Sequence, residues 1–217
     1  MQKLHTQLTT IIDGLTESGY AICEDFLPAQ IIQALADKAE KRYIDGEMLV
    51  AKTGKNANAQ HSAIRNDSIY WLDEGSLNSS TQSYFAKIEA LKVALNQSLF
   101  MNLHDIETHL AVYPIGGVYL KHLDQFKQIN NGTAQIPTQV RQLSSVLYLN
   151  DNWQEDEGGE LRLHLNEAAS NNASKYIDIL PIAGRLVLFL SADFWHEVLP
   201  ATRNRISLTG WFRTRAS

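Results

Sequence analysis

From about residue 106 the chain breaks into seven short runs rich in β-forming residues: "IETHLAVY", "VYLKHLD", "LSSVLYLN", "ELRLHL", "YIDIL", "RLVLFL" and "RISLTGWF". Turn signals separate them, including "PIGG" at 114–117, "NNG" at 130–132 and "DEGG" at 156–159. A parallel sheet needs a crossover, usually a helix, between successive strands, and these connections are too short and too polar to supply one. The runs therefore predict a sandwich or jelly-roll barrel.

The first part of the chain obeys a different period. Leu4, Leu8, Ile11, Ile12 and Leu15 share one helical face, and "ESG" ends that pattern at Gly19. "YAICEDFL" reads as a strand. Pro28 suits the first turn of a second helix with the stripe Ile31, Ile32, Leu35 and Ala39 and a stop at Gly46. A third helix begins near Ser79 or Ser80 and carries Tyr84, Phe85, Ile88, Leu91 and Leu95. Between the second and third helices, residues 51–68 are polar and rich in Asn, which predicts a long mobile loop. The expected organisation is one α+β domain over 1–217, with helical support in 1–105 and a barrel core in 106–217.

Composition narrows the classes. With 44% apolar residues in 217, the chain can bury a substantial core. Its net charge of −5 argues against a general nucleic-acid binder. No apolar run is long enough for a membrane span. The single cysteine, Cys23, cannot form an internal disulfide and fits a reducing cytoplasm. The acidic stretch "DNWQEDEGGE" lacks EF-hand spacing and reads as a solvated hairpin.

Chemistry concentrates in two places. "KHLD" sets His122 and Asp124 two apart, and on an extended strand residues i and i+2 project to one face. A third donor, His196, follows the apolar run "RLVLFL". Two imidazoles and one carboxylate match the facial arrangement that holds Fe(II) with open positions, although spacing alone also admits zinc. "RISLTGWF" places Arg205, Ser207, Thr209 and Trp211 on one strand face. An arginine inside a barrel needs an anionic partner, and a dicarboxylate fits its fork of donors. Iron beside such an arginine suggests 2-oxoglutarate as co-substrate.

These residues resemble the Fe(II)/2-oxoglutarate-dependent dioxygenases, and more closely the hypoxia-inducible-factor-type prolyl hydroxylases and their bacterial relatives. The similar segments are "GYAICEDFL", "IRNDSIYWL", "VYPIGGVYLKHLD", "VLYLNDNW", "GGELRL" and "HEVLPATRNRISLTGWF", in the family's order from residue 19 to 213. The resemblance implies a double-stranded β-helix. It implies His122, Asp124 and His196 as Fe(II) ligands, and Arg205 with Tyr148 on the distal carboxylate of 2-oxoglutarate. Tyr113, Leu161, Thr209 and Trp211 would line that pocket. Arg65, Asp67 and Trp71 would belong to a loop folding over the substrate, with Asp67 and Arg141 linking the loop to the barrel. O₂ would be the second co-substrate and ascorbate a reductant. The chain stops soon after "GWFRTRAS", without the animal enzymes' C-terminal extension. That implies a compact, monomeric, cytoplasmic member acting on a prolyl residue of a protein such as elongation factor Tu, with no nucleic-acid or membrane partner. Two alternatives stay open: hydroxylation of a free amino acid or other small molecule, and a non-catalytic module sensing oxygen or 2-oxoglutarate.

Overall fold

Three amphipathic helices form where the 3.6-residue stripes predict them. In the computed structural model, which describes residues 2–51, 64–125, 139–165 and 175–215, α1 is Gln2–Ser18, α2 is Ala29–Ile44 and α3 is Ser79–Leu99. Gly19 and Gly46 follow α1 and α2 with positive φ (75° and 70°), a conformation open to glycine at no side-chain cost. Pro28 stands one residue earlier than expected, as the N-cap of α2 with φ −57° and ψ 143°, and its carbonyl accepts from the Ile32 N–H at 3.1 Å. The cap of α3 is Asn78, whose side-chain oxygen accepts from the Thr81 N–H at 3.0 Å.

The strands are β1 (Tyr20–Cys23), β2 (Leu49–Val50), β3 (Ser68–Trp71), β4 (Asp105–Tyr113), β5 (Tyr119–His122), β6 (Gln139–Tyr148), β7 (Leu161–His164), β8 (Tyr176–Ile179), β9 (Leu186–Leu190), β10 (His196–Val198) and β11 (Arg205–Arg215). Their named pairings are antiparallel. They form a seven-stranded sheet, in order β1-β9-β6-β11-β4-β3-β2, and a four-stranded sheet, in order β5-β10-β7-β8. This is the expected double-stranded β-helix with supporting helices.

Period-two alternation divides the larger sheet between two cores. On β9, Leu186 and Leu188 face the helices while Val187 and Phe189 face the barrel. On β11, Ile206, Leu208 and Phe212 pack against the helices with Leu35, Leu91 and Leu95. The helices thus cover one face of the sheet and leave its other face to enclose a site with the smaller sheet. Each fully buried Leu or Phe contributes about 1.5–3 kcal/mol. A polar anchor crosses the helical core: Thr108 donates to the Thr209 carbonyl at 3.0 Å, so the Tyr84 hydroxyl, 3.2 Å away, donates to Thr108.

Several expectations need correction. Trp71 belongs to β3, an ordered strand paired with β4, and not to a loop. Of the expected loop, residues 52–63 lie outside the described residues, whereas Arg65–Asp67 and β3 are built into the fold. The "NNG" turn also lies outside them. "DNWQEDEGGE" is no hairpin: it carries a single 3-10 turn, Glu155–Glu157, and the buried Trp153, whose indole N–H donates to the Gly158 carbonyl at 2.9 Å. Among the described residues, no helix is long and apolar enough to cross a membrane.

Candidate metal and dicarboxylate site

His122 is the last residue of β5, and its direct partner across the ladder is His196, the first of β10. That pairing brings two imidazoles 74 residues apart in sequence to a ring separation of 4.2 Å. Asp124 completes the group from the bend after β5, so strand alternation is not what aims it. The turn brings its carboxylate back: Oδ1 lies 3.7 Å from His122 Nε2 and Oδ2 lies 3.5 Å from His196 Nε2. One donor atom from each residue falls within 4.8 Å of the others.

Both imidazoles are held in one tautomer. His122 Nδ1 lies 2.8 Å from the Leu120 carbonyl and His196 Nδ1 lies 3.1 Å from the Phe194 carbonyl. A carbonyl only accepts, so each Nδ1 carries a proton, and Nε2 is the atom that each ring offers to the shared centre. Burial lowers the His122 pKa to about 3, and neighbouring His196 adds to that, so the ring is neutral at neutral pH. Burial alone would raise the Asp124 pKa. The two imidazoles and the Ser144 hydroxyl overcome it and hold the carboxyl below its ordinary range. Ser144 donates to Asp124 Oδ2 at 2.7 Å, which leaves the Ser191 hydroxyl, 2.8 Å away, to donate to Ser144. The result is two imidazole nitrogens and one carboxylate converging on one point, a donor set suited to a divalent first-row metal.

Further inside the barrel lies Arg205, 2% exposed. Its Nε donates to the Gly159 carbonyl at 2.8 Å, and among the described residues no carboxylate pairs with it. Its guanidinium stands 4.9 Å from the Tyr148 ring and 5.2 Å from the Tyr113 ring. The Tyr148 hydroxyl is buried and makes no well-formed hydrogen bond among the described residues. Burial raises the Tyr148 pKa, against the pull of Arg205, so the phenol keeps its proton and can donate. A buried cation without an anion, beside a buried donor without an acceptor, fits a carboxylate ligand. The same cavity is lined by Leu161, Thr209 and Trp211 together with Tyr113, Arg65 and the three metal-type donors.

The structure does not join the remaining residues as the sequence suggested. Asp67, fully buried, pairs with Arg65 through two contacts of 2.5 and 2.8 Å. Arg141 instead donates to Glu107 at 2.8 Å, and its guanidinium lies 3.6 Å over the Trp211 ring. An Asp67–Arg141 link is therefore absent. Arg65 lies two residues from Asp67, while β4 and β6 flank β11 and bring Glu107 to Arg141. Trp71 stands half-exposed with its ring 4.8 Å from His109.

Sequence reasoning passed over Tyr119, His109, Ser144 and Gly159. Tyr119 stacks on His122 with ring centres 3.5 Å apart. His109 is buried and neither ring nitrogen has a hydrogen-bond partner among the described residues. His109 and Ser144 share the inward parity of Thr209 and Trp211 across the β11 ladders, a signal available only once register is known.

Comparison with known proteins agrees with this geometry. Residues 108–213 match the 2OG-Fe(II) oxygenase superfamily. The crystal structure of a Pseudomonas putida prolyl-4-hydroxylase is 40% identical, covers 96% of this chain and 100% of its own, and superposes with a TM-score of 0.79. A Trichoplax adhaerens prolyl hydroxylase, solved with a hypoxia-inducible factor oxygen degradation domain peptide, is 26% identical over 97% of this chain and 90% of its own, with a TM-score of 0.80. The Caenorhabditis elegans hypoxia-inducible factor prolyl hydroxylase is 29% identical over 95% of this chain, which spans 28% of that relative's length.

Proposed function

Because the chain belongs to the 2OG-Fe(II) oxygenase superfamily, whose cofactors are Fe(II), 2-oxoglutarate and O₂, we propose that it is a protein prolyl hydroxylase. The observation that carries the proposal is one cavity with the His122–Asp124–His196 donors and the carboxylate-free Arg205, in a chain 40% identical to a prolyl-4-hydroxylase.

His122, Asp124 and His196 hold Fe(II), with Ser144 orienting the carboxylate. Arg205 and Tyr148 take the distal carboxylate of 2-oxoglutarate, and Tyr113, Leu161, Thr209 and Trp211 form the wall that excludes water around it. With Fe(II) held there, O₂ would be the oxidant, one of its oxygen atoms entering succinate as 2-oxoglutarate loses CO₂ and the other entering the prolyl C–H bond as hydroxyl. The protein contributes orientation and a dry site. Trp71 and Arg141, at the same end of the barrel as Trp211, offer aromatic and cationic surface to a polypeptide. Elongation factor Tu is the leading substrate candidate, and a reducing cytoplasm fits the single, buried Cys23.

The experiment is anaerobic addition of Fe(II) and 2-oxoglutarate, followed by O₂ and elongation factor Tu. The expected result is a visible charge-transfer band that decays with succinate formation, and a gain of one oxygen on a prolyl residue by mass spectrometry. Succinate formation stimulated by free proline but not by any polypeptide would replace the protein-hydroxylase reading with a small-molecule one.

A further inference from the structure

His122 is the more exposed of the two imidazoles, 14% against 6% for the side chains, and it stands on β5, the edge of the smaller sheet. An edge strand presents unpaired backbone groups and is free to shift. Here the edge is covered by residues 64–67. Leu120 N–H donates to the Ile64 carbonyl at 2.9 Å, Asn66 N–H donates to the Val118 carbonyl at 3.1 Å, and Val118 N–H donates to the Asn66 side chain at 3.1 Å. Arg65 bridges directly opposite Tyr119.

The side chains continue this contact to the metal-type centre. Asp67, fully buried, grips Arg65 by two contacts. The Arg65 guanidinium lies 4.7 Å from the centre of the Tyr119 ring. Tyr119 in turn stacks on His122 at 3.5 Å with only 17° between planes. The Leu120 carbonyl fixes one edge of the imidazole, but a single hydrogen bond leaves the ring free to rock about it. A flat aromatic face held from behind by a cation removes that freedom.

We propose that Asp67, Arg65 and Tyr119 are a positioning column that sets the plane of His122, so that docking of residues 64–67 and metal affinity are coupled. The proposal rests on the reading of His122, Asp124 and His196 as metal ligands. It assigns Arg65 and Asp67 a role in the protein itself rather than in contact with substrate. Outer partners that orient a metal-binding imidazole typically change affinity by about 10–100-fold. Coupling is reciprocal, so metal should also tighten the docked segment.

The test uses the metal-free full chain titrated with Co(II), whose d–d bands report ligand geometry, together with hydrogen exchange at the Leu120 and Asn66 amides. Tyr119→Leu and Arg65→Met should each weaken Co(II) binding by about tenfold and shift the bands, while Tyr119→Phe, which keeps the stacked face, stays near wild type. Co(II) should slow exchange at both amides in the wild type and much less in Tyr119→Leu. If Tyr119→Leu does not fold, Arg65→Met decides. Unchanged affinity and bands in the folded variants, with a wild type that forms the Fe(II)–2-oxoglutarate band, would overturn the column and leave the metal site standing. A wild type that binds no Co(II) would overturn the ligand assignment and the column together.

Discussion

Replacing Arg205 with methionine should abolish tight 2-oxoglutarate binding while leaving the ligand-free protein almost as stable as before. The guanidinium is 2% exposed, and its only hydrogen-bond acceptor among the described residues is the Gly159 carbonyl at 2.8 Å. Its remaining N–H groups supply a charge-assisted fork for a dicarboxylate. Hydrogen bonds to charged groups are worth about 1.5–3 kcal/mol each, so losing two costs about 3–6 kcal/mol, or roughly a hundredfold to twenty-thousandfold in affinity. The free protein experiences two opposed changes. Removing a buried, anion-free cation relieves a desolvation penalty of several kcal/mol. Stranding the Gly159 carbonyl costs about 1–3 kcal/mol. These nearly cancel, and the unfolding midpoint should stay within about 5 °C of wild type, given roughly 2–4 °C per kcal/mol at this size. Anaerobic titration of the Fe(II)-loaded protein with 2-oxoglutarate gives the affinity, and scanning calorimetry without ligand gives the midpoint. A variant that binds 2-oxoglutarate as tightly as wild type refutes the cradle. A fall of more than about 10 °C, roughly 3 kcal/mol here, makes Arg205 a structural cation instead.

Ser144→Ala removes the 2.7 Å hydrogen bond to Asp124 and should weaken Fe(II) or Co(II) affinity by about tenfold without unfolding the chain, as equilibrium dialysis would show. Burial, with Arg65 and Arg141 nearby, lowers the His109 pKa to about 3, whereas the unfolded value is about 6.5. Between those values the unfolded state binds a proton that the folded state does not. Stability from this group is therefore complete above about pH 6.5 and falls on acidification by up to about 1.4 kcal/mol per pH unit. His109→Leu should flatten that slope in urea unfolding of the metal-free protein, and an unchanged slope would contradict a buried neutral ring. Gly159 has φ +74°, and a Cβ there would stand 3.0 Å from both Ala201 Cβ and Trp153 Cζ2. Gly159→Ala should cost about 1–2 kcal/mol from the left-handed backbone alone and, by shifting the carbonyl that holds Arg205, raise the KM for 2-oxoglutarate.

The helices, the β-rich second half and the two faces of β11 were legible in the sequence because each is a local periodicity. Leu35 and Leu91 repeat at helical spacing, and Arg205 to Trp211 alternate with Ile206 and Leu208. Glycines at 19 and 46 announce their helix ends because few other residues accept that backbone conformation. The metal-type donors were legible for another reason: residue chemistry at matched positions survives even where the geometric argument for Asp124 fails. A bend, rather than a strand face, turns its carboxylate toward His122.

Tertiary structure alone decided which charges meet. Arg141 could have reached Asp67 or Glu107, and strand order chose Glu107 by placing β4 and β6 on either side of β11. It also made β3 an ordered strand, since so short a run gains its stability from the β4 edge it covers and from β2 on its other side. The stack of Tyr119 on His122, the anchoring of Arg205 by a backbone carbonyl 46 residues away, and the burial of His109 with neither ring nitrogen hydrogen-bonded among the described residues belong to the same class. Sequence determines what each side chain can donate, accept or bury. Which partner it finds depends on register between distant strands, and register is set by the whole packed core.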